Sequence, residues 1–256
     1  MSKILISAID IRPDKIICLI AQELQIVNQG KILQLIGSGI SRFPIDCTDP
    51  FSLDKKSFLE HLSEAIKKSE KEALIKVKDV YVNIDDSVHS IYLDHYLKIE
   101  NTLIEDDHIK SYFKGDEFKK LYSENNTPLH SFPISYRIND SKSVSDPINL
   151  KAENLSTMWH NIISKNNEIK KIYNFFDDTD LHVKQIVLSN YASSLAVLNE
   201  MESSLGAISI DIGKTKTFLS FTLDNQLIYF ETISLGSFYF TKDLSNVLSI
   251  DLNEAE

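Results

Sequence analysis

Two stretches near opposite ends of this 256-residue chain repeat one pattern. Ser7 to Leu19 reads SAIDIRPDKIICL, and Ser209 to Phe221 reads SIDIGKTKTFLSF. Each contains I-D-I-x-x-x-K followed by apolar residues, the pattern of a strand, a tight loop and a second strand. A unit of this kind used twice outlines a duplicated, two-lobed fold, with Asp10 and Asp211 at equivalent bends. The GKT of the second copy is not a phosphate-binding P-loop. That motif, G-x-x-x-x-G-K-[ST], needs a glycine where this chain has Ile208, and a helix after the loop. Here Ala207 to Ile212 and Phe218 to Leu223 are both runs of strand formers.

The surrounding sequence fills in the two lobes. Residues 3 to 42 contain KILISAIDI, KIICLIAQ and KILQLIGSGI, broken at Arg12-Pro13-Asp14 and Asn28-Gln29-Gly30, which predicts a three-stranded meander. Between Asp54 and Leu74 the period becomes helical, with Phe58, Leu62, Ala65, Ile66, Ser69 and Ala73 on one stripe. A strand follows at Val80 to Ile84.

From Asp85 to Leu150 the character changes. Ser87 to Ile104 reads as one or two strands, and Glu105 to Tyr122 as one helix with Ile109, Phe113 and Phe118 inward. Leu129 to Asn139 alternates, placing His130, Phe132, Ile134, Tyr136 and Ile138 on one face. With polar flanks at 123–126 and 140–146, this block reads as a small α+β insertion. The first architecture is then expected to resume with a strand at 155–163, a helix at 167–176, a strand at 182–188 and a helix at 191–205. Gly206 should end that helix in the left-handed conformation.

The meander pattern returns at 207–212, 217–223, the turn Asp224-Asn225 and 226–233, with a helix from Thr241. Glu254 and Glu256 read as first-turn acids of a further helix, itself absent. Ile208, Ile210 and Ile212 alternate on one face, and at least one face of this second sheet is expected to be open. That favours docking onto the first lobe, self-association or a separately encoded remainder, as in a truncated gene product.

Composition removes several function classes. The formal net charge of -10 leaves no basic surface for nucleic acid. Two cysteines, Cys18 and Cys47, without CxxC or Cys/His spacing, suit a reducing compartment, and the start is too broken by Asp10 and Arg12 for a signal segment. The chain therefore reads as cytoplasmic. Seven histidines show no metal-binding spacing. The acidic pair Asp85-Asp86 and the run 105–107 read as turn and helix-start features. No Ser/His/Asp or Cys/His arrangement suggests a catalytic centre.

The connectivity of meander, helix, strand, helix, strand, helix and second meander opening on D-I-G resembles that of the actin and Hsp70 superfamily. Local wording resembles one family within it, the bacterial cell-division protein FtsA. The matching stretches are LHVKQIVLSNYASSLAVLNEMESSLGAISIDIG from Leu181, TLIEDDHI from Thr102 and LHSFPISY from Leu129. Asp146-Pro147-Ile148-Asn149 stands where that family has D-P-x-G.

The resemblance implies an α/β fold: an actin-like (ribonuclease H-like) lobe with a mixed sheet and helices, a small inserted α+β subdomain of the SHS2 or 1C type, and the start of a second lobe. It assigns 1–84 and 151–206 to subdomain 1A, 85–150 to 1C and 207–256 to the beginning of 2A. It implies a cytoskeletal adaptor of septum assembly that binds ATP and Mg, works with FtsZ and other division proteins at the cytoplasmic face of the inner membrane, and self-associates. Membrane contact is expected to be indirect, since nothing in the sequence matches the family's C-terminal amphipathic helix. The alternatives are a PilM-like protein of pilus assembly and a sugar or acid kinase of the same duplicated fold.

The family's phosphate loops carry over to Asp10 in the first loop and to Asp211, Gly213, Thr215 and Thr217 in the second, with Asp10 and Asp211 orienting the metal. The loops also depart from the family. Lys214 and Thr215 replace glycines, and Phe218 replaces an aspartate. Arg12-Pro13 replaces a Gly-Thr or Gly-Ser pair, and a proline has no N–H to offer a phosphate. Asp14 adds a carboxylate, for which Arg12 offers compensating charge. Weak or lost ATP binding is therefore expected.

Overall fold

The computed structural model describes residues 4–26, 30–85, 87–123, 125–140 and 142–256. Residues 1–3, Asn28 and Gln29 of the first turn, Asp86 of the acidic pair, and Glu124 and Ser141 of the polar flanks lie outside the described residues.

The first meander is β1 (Ile4–Arg12), β2 (Lys15–Ile26) and β3 (Gly30–Arg42), paired antiparallel in the order of the chain. Helix α1 (Lys55–Ala73) starts at Asp54, whose side chain accepts a hydrogen bond from the Ser57 amide, and buries Phe58, Leu62, Ala65 and Ser69. It lies directly on β3 because Gly37 and Gly39 have no side chain. A Cβ at Gly39 would fall inside van der Waals contact of the Ala65 carbonyl oxygen, and one at Gly37 against that of Ser69. β4 (Asp79–Ile84) then adds to β1 in parallel.

The next block forms its own antiparallel sheet from β5 (Val88–Leu103), β6 (Asn126–Ile138), β7 (Lys142–Val144) and β8 (Lys151–Lys165), in the order β5-β8-β6-β7. Two expectations change here. β8 does not rejoin the first sheet; it is the central strand between β5 and β6 along nearly its whole length. The helix expected over 105–122 is α2 (Asp106–Lys110), a 3-10 turn at Ser111–Lys114, and α3 (Asp116–Ser123). The break lets the Tyr112 ring stack on Trp159 at 4.3 Å while its hydroxyl donates to Asn161 Oδ1 at 2.9 Å. Tyr112 is thus the buried aromatic, and Phe113 remains 41% exposed.

The alternation of β6 is also interrupted. Register shifts between Pro128 and His130 and between Pro133 and Ser135 bulge the strand. Phe132 and Ile138 consequently enter two different apolar clusters. Asn149 takes a positive φ of 62°, the left-handed turn its place in D-P-x-N calls for.

α4 (Asn166–Phe176) packs Ile169, Ile172 and Phe176 into the first core. β9 (His182–Leu188) then completes the sheet β3-β2-β1-β4-β9, pairing parallel to β4. The single helix expected over 191–205 is two: α5 (Ser189–Val197) and α6 (Glu200–Leu205). Asn199 divides them, since its side chain accepts from the Glu202 amide while Glu202 reaches back to the Asn199 amide. Gly206 has positive φ, 105°, but its ψ of 121° is extended and not left-handed helical.

The second meander is β10 (Ala207–Ile212), β11 (Thr217–Leu223) and β12 (Gln226–Ile233), closed by Asp224 and Asn225 at φ 50° and 60°, as a type I′ hairpin turn requires. One face, with Phe218, Ser220 and Thr222, is buried. The other carries Ile208, Ile210 and Ile212, exposed by 63%, 61% and 66%, so the expected open face is present. α7 (Phe238–Leu248) begins three residues before Thr241, and α8 (Leu252–Ala255) is one turn capped by Asp251 that holds Glu254, one of the two acids read as opening a helix, in its first turn.

Two sets of buried polar contacts help to dock the second meander on the rest of the chain. The hydroxyls of Ser194 in α5, Ser209 in β10 and Ser220 in β11 lie within 2.6 to 2.7 Å of one another. On β12, the Leu227 carbonyl meets His160 Nδ1 at 2.8 Å and the Ile228 carbonyl accepts from the Tyr92 hydroxyl at 2.9 Å. Phe132, Ile162, Leu188, Leu227 and Phe230 fill the space between them.

Candidate functional site

The β1–β2 turn and the β10–β11 loop line a single cleft of about 510 Å³. Asp10 at the end of β1 and Asp211 at the end of β10 enter it from opposite sides, and Arg12 stands between them. Its Nε donates to both oxygens of Asp10 at 3.0 Å, and its Nη1 lies 3.4 Å from Asp211 Oδ2. Burial alone would lower the Arg12 pKa, but the Asp10, Asp85 and Asp211 carboxylates outweigh it and raise the value above the usual one.

Both aspartates have further donors. Asn83 Nδ2, on β4 beside Asp10, reaches Asp10 Oδ1 at 2.6 Å, and Asn83 Oδ1 accepts from the Ile11 amide at 2.7 Å. Ser193 Oγ, on α5, donates to Asp211 Oδ2 at 3.0 Å. Asp85 closes the floor: burial pushes its pKa up against a hydrogen bond from Ser189, and its Oδ1 has no partner among the described residues. Lys216 is lowered by burial, with Asp85 and Asp49 opposing.

Of the residues singled out from the sequence, Asp10, Asp211, Gly213 and Thr215 line this cleft. Thr217 does not; its hydroxyl donates to the Leu235 carbonyl at 2.7 Å. Lys214 spans to the Ile45 carbonyl at 2.6 Å with its ammonium over the Phe238 ring. Sequence reasoning missed Asn83, Ser189 and Ser193 and took Asp85 for a turn residue. Asn83 had a signal, as the lone amide in the apolar strand VYVNI; the serines had none.

No family model matches the chain. It is 27% identical over 258 residues to the cell division protein FtsA of Buchnera aphidicola subsp. Schizaphis graminum, which takes in 98% of this chain and 59% of that protein. Against FtsA of Agrobacterium fabrum the identity is 30% over 128 residues, half of this chain and 29% of that one. The chain is FtsA-like. It spans 59% or less of the length of these two FtsA relatives. Among solved structures it superposes on the PilM-PilN type IV pilus biogenesis complex with a TM-score of 0.60 at 12% identity, covering 98% of this chain and 67% of the other. The ethanolamine utilization protein EutJ from Carboxydothermus hydrogenoformans gives 0.53 at 9% identity, covering 100% and 61%. At these identities the likeness shows the fold alone, an actin-like one.

FtsA likeness and fold together raise the question of ATP and magnesium. The residues present do not fit them. Proline at position 13 removes one loop amide. The Gly213 amide is spent on the Lys216 carbonyl at 2.8 Å, and the carbonyls of Gly213 and Lys214 accept from the amides of Ser237 and Phe238, each at 2.9 Å. The second loop is therefore bonded to itself and to the start of α7. Asp10 and Asp211, the pair the FtsA resemblance assigns to the metal, already share a guanidinium. Among the described residues no helix is long and apolar enough to cross a membrane.

Proposed function

We propose that this chain is a non-catalytic adaptor of the bacterial cell-division machinery, acting in septum assembly as the N-terminal portion of FtsA. The observation that carries the reading is the likeness to Buchnera FtsA along 98% of the chain. Residues 1–84 with 166–206 then serve as subdomain 1A, and 207–256 as the beginning of 2A; the SHS2-type 1C runs over 85–165 instead of ending at 150, because β8 is the central strand of its sheet. The insertion and the open face of β10 are the surfaces for self-association and for other division proteins. FtsZ is reached through such an assembly, at the cytoplasmic face of the inner membrane. The Asp10 and Asp211 loops hold the place of an ATP-magnesium cleft in which binding is weak or lost.

The likeness to PilM lies in the fold, at 12% identity, and does not select a pilus role. A fluorescent fusion of the chain expressed in a bacterium that divides with FtsZ tests the reading. A band at the division site that disappears on FtsZ depletion is the expected result. Uniform fluorescence, from a fusion shown to be intact, overturns it.

A further inference from the structure

We propose that Arg12 is a built-in latch that takes the place and the charge of a divalent metal between Asp10 and Asp211, so that the two loops are fastened without a ligand. It rests on reading Asp10 and Asp211 as counterparts of the family's metal-orienting pair, and it is independent of the division role.

The geometry supplies the argument. Arg12 reaches both carboxylates at once, at 3.0 and 3.4 Å, with its side chain only 20% exposed. A guanidinium does this where an ammonium cannot, because its planar fork presents several donors in fixed directions. The backbone aims it. Arg12 pairs with Lys15 at the mouth of the hairpin, and a residue before proline is held extended. Arginine is scarce in this chain, occurring only at 12, 42 and 137. One of the three stands where the β1–β2 turn and the β10–β11 loop present facing carboxylates.

A magnesium ion in the same space would need oxygen ligands in near-octahedral order at about 2.1 Å. It would find Asp10 Oδ1 already bonded by Asn83 and Asp211 Oδ2 by Ser193, with a permanent cation between them. Two cations a few ångströms apart repel strongly in a site partly shielded from water. Metal entry and the Arg12 bridge therefore exclude each other, and the closed arrangement needs no nucleotide.

The test uses Mn²⁺ as the probe, titrated into the full chain and followed by electron paramagnetic resonance, together with hydrogen exchange at residues 208–212 in metal-free buffer. Arg12→Ser should bind Mn²⁺ at least tenfold more tightly than the unaltered chain, and Arg12→Ser with Asp10→Asn should lose that gain. Exchange at 208–212 should quicken at least tenfold in Arg12→Ser and slow again with Mn²⁺. Arg12→Lys, which keeps the charge but not the fork, should fall between the two and serves if the serine variant does not fold. Equal Mn²⁺ affinity in the unaltered chain and a folded variant, or unchanged exchange, overturns the latch. Either result leaves the septal-localisation test untouched, so the two readings fail separately.

Discussion

The guanidinium of Arg12, on β1, lies 3.4 Å from the carboxylate of Asp211, on β10, and this ion pair joins the two copies of the repeated strand-loop-strand unit. Asp10 occupies the other side of the same guanidinium, so the repeated aspartates meet through a residue that only one copy possesses. Pairs of this kind in a partly buried site contribute more than exposed ones, and removing one partner strands the other.

A double-mutant cycle of Arg12→Ala with Asp211→Asn should therefore give a coupling energy of about 1 kcal/mol in urea unfolding. Arg12→Ala alone should cost more than Asp211→Asn alone, because it leaves two carboxylates facing each other. Additive single effects would mean that the contact contributes nothing to holding the loops together.

Gly39→Ala should destabilise the chain by about 3 kcal/mol or prevent folding, since the added methyl collides with the α1 backbone at Ala65, which cannot move without displacing the helix. Gly30→Ala, where no atom lies within 4 Å but φ is 79°, should cost only about 1 kcal/mol. Thermal unfolding of the two variants side by side checks the order.

Stability should fall on mild acidification. Burial lowers the His130 pKa from 6.5 to about 4, and its Nε2 accepts from the Leu188 amide at 3.1 Å, a bond the protonated ring cannot accept. The unfolded chain binds this proton below its ordinary pKa while the folded chain does not. The contribution is complete above about pH 6.5, declines towards pH 4 and levels below it, for a loss of up to about 3 kcal/mol. His160 is lowered too, chiefly by burial and against the Leu227 carbonyl, so it adds a loss of the same sign. Urea unfolding at pH 7, 6 and 5 should show the slope, and His130→Gln should flatten part of it.

Ile210→Lys should leave folding stability within about 0.5 kcal/mol, because the residue is 61% exposed on the edge strand of its sheet. It should also lower self-association measured by light scattering, since β10 offers both apolar side chains and free backbone groups. A large loss of stability would show that the face is covered in solution.

The repeated aspartate loops, the two meanders, the α1 stripe and the open face of β10 were legible in the sequence because each rests on local periodicity or on a repeat. The breaks within 105–122 and 189–205 were not, since apolar spacing carries through a helix interruption. What interrupts the first is a buried stack of Tyr112 on Trp159, residues far apart in the chain. β8 was misplaced for the same reason: strand formers announce a strand but not the sheet that takes it.

The sequence by itself determined that two like loops exist and that each carries an aspartate, because strand propensity and loop chemistry are local properties. Only the tertiary structure decided that Asp10 and Asp211 share Arg12, and that Asn83 and Ser193 complete their hydrogen bonds. Those relations depend on where β4 and α5 pack, and packing is settled by burial of the whole chain, not by any stretch of it.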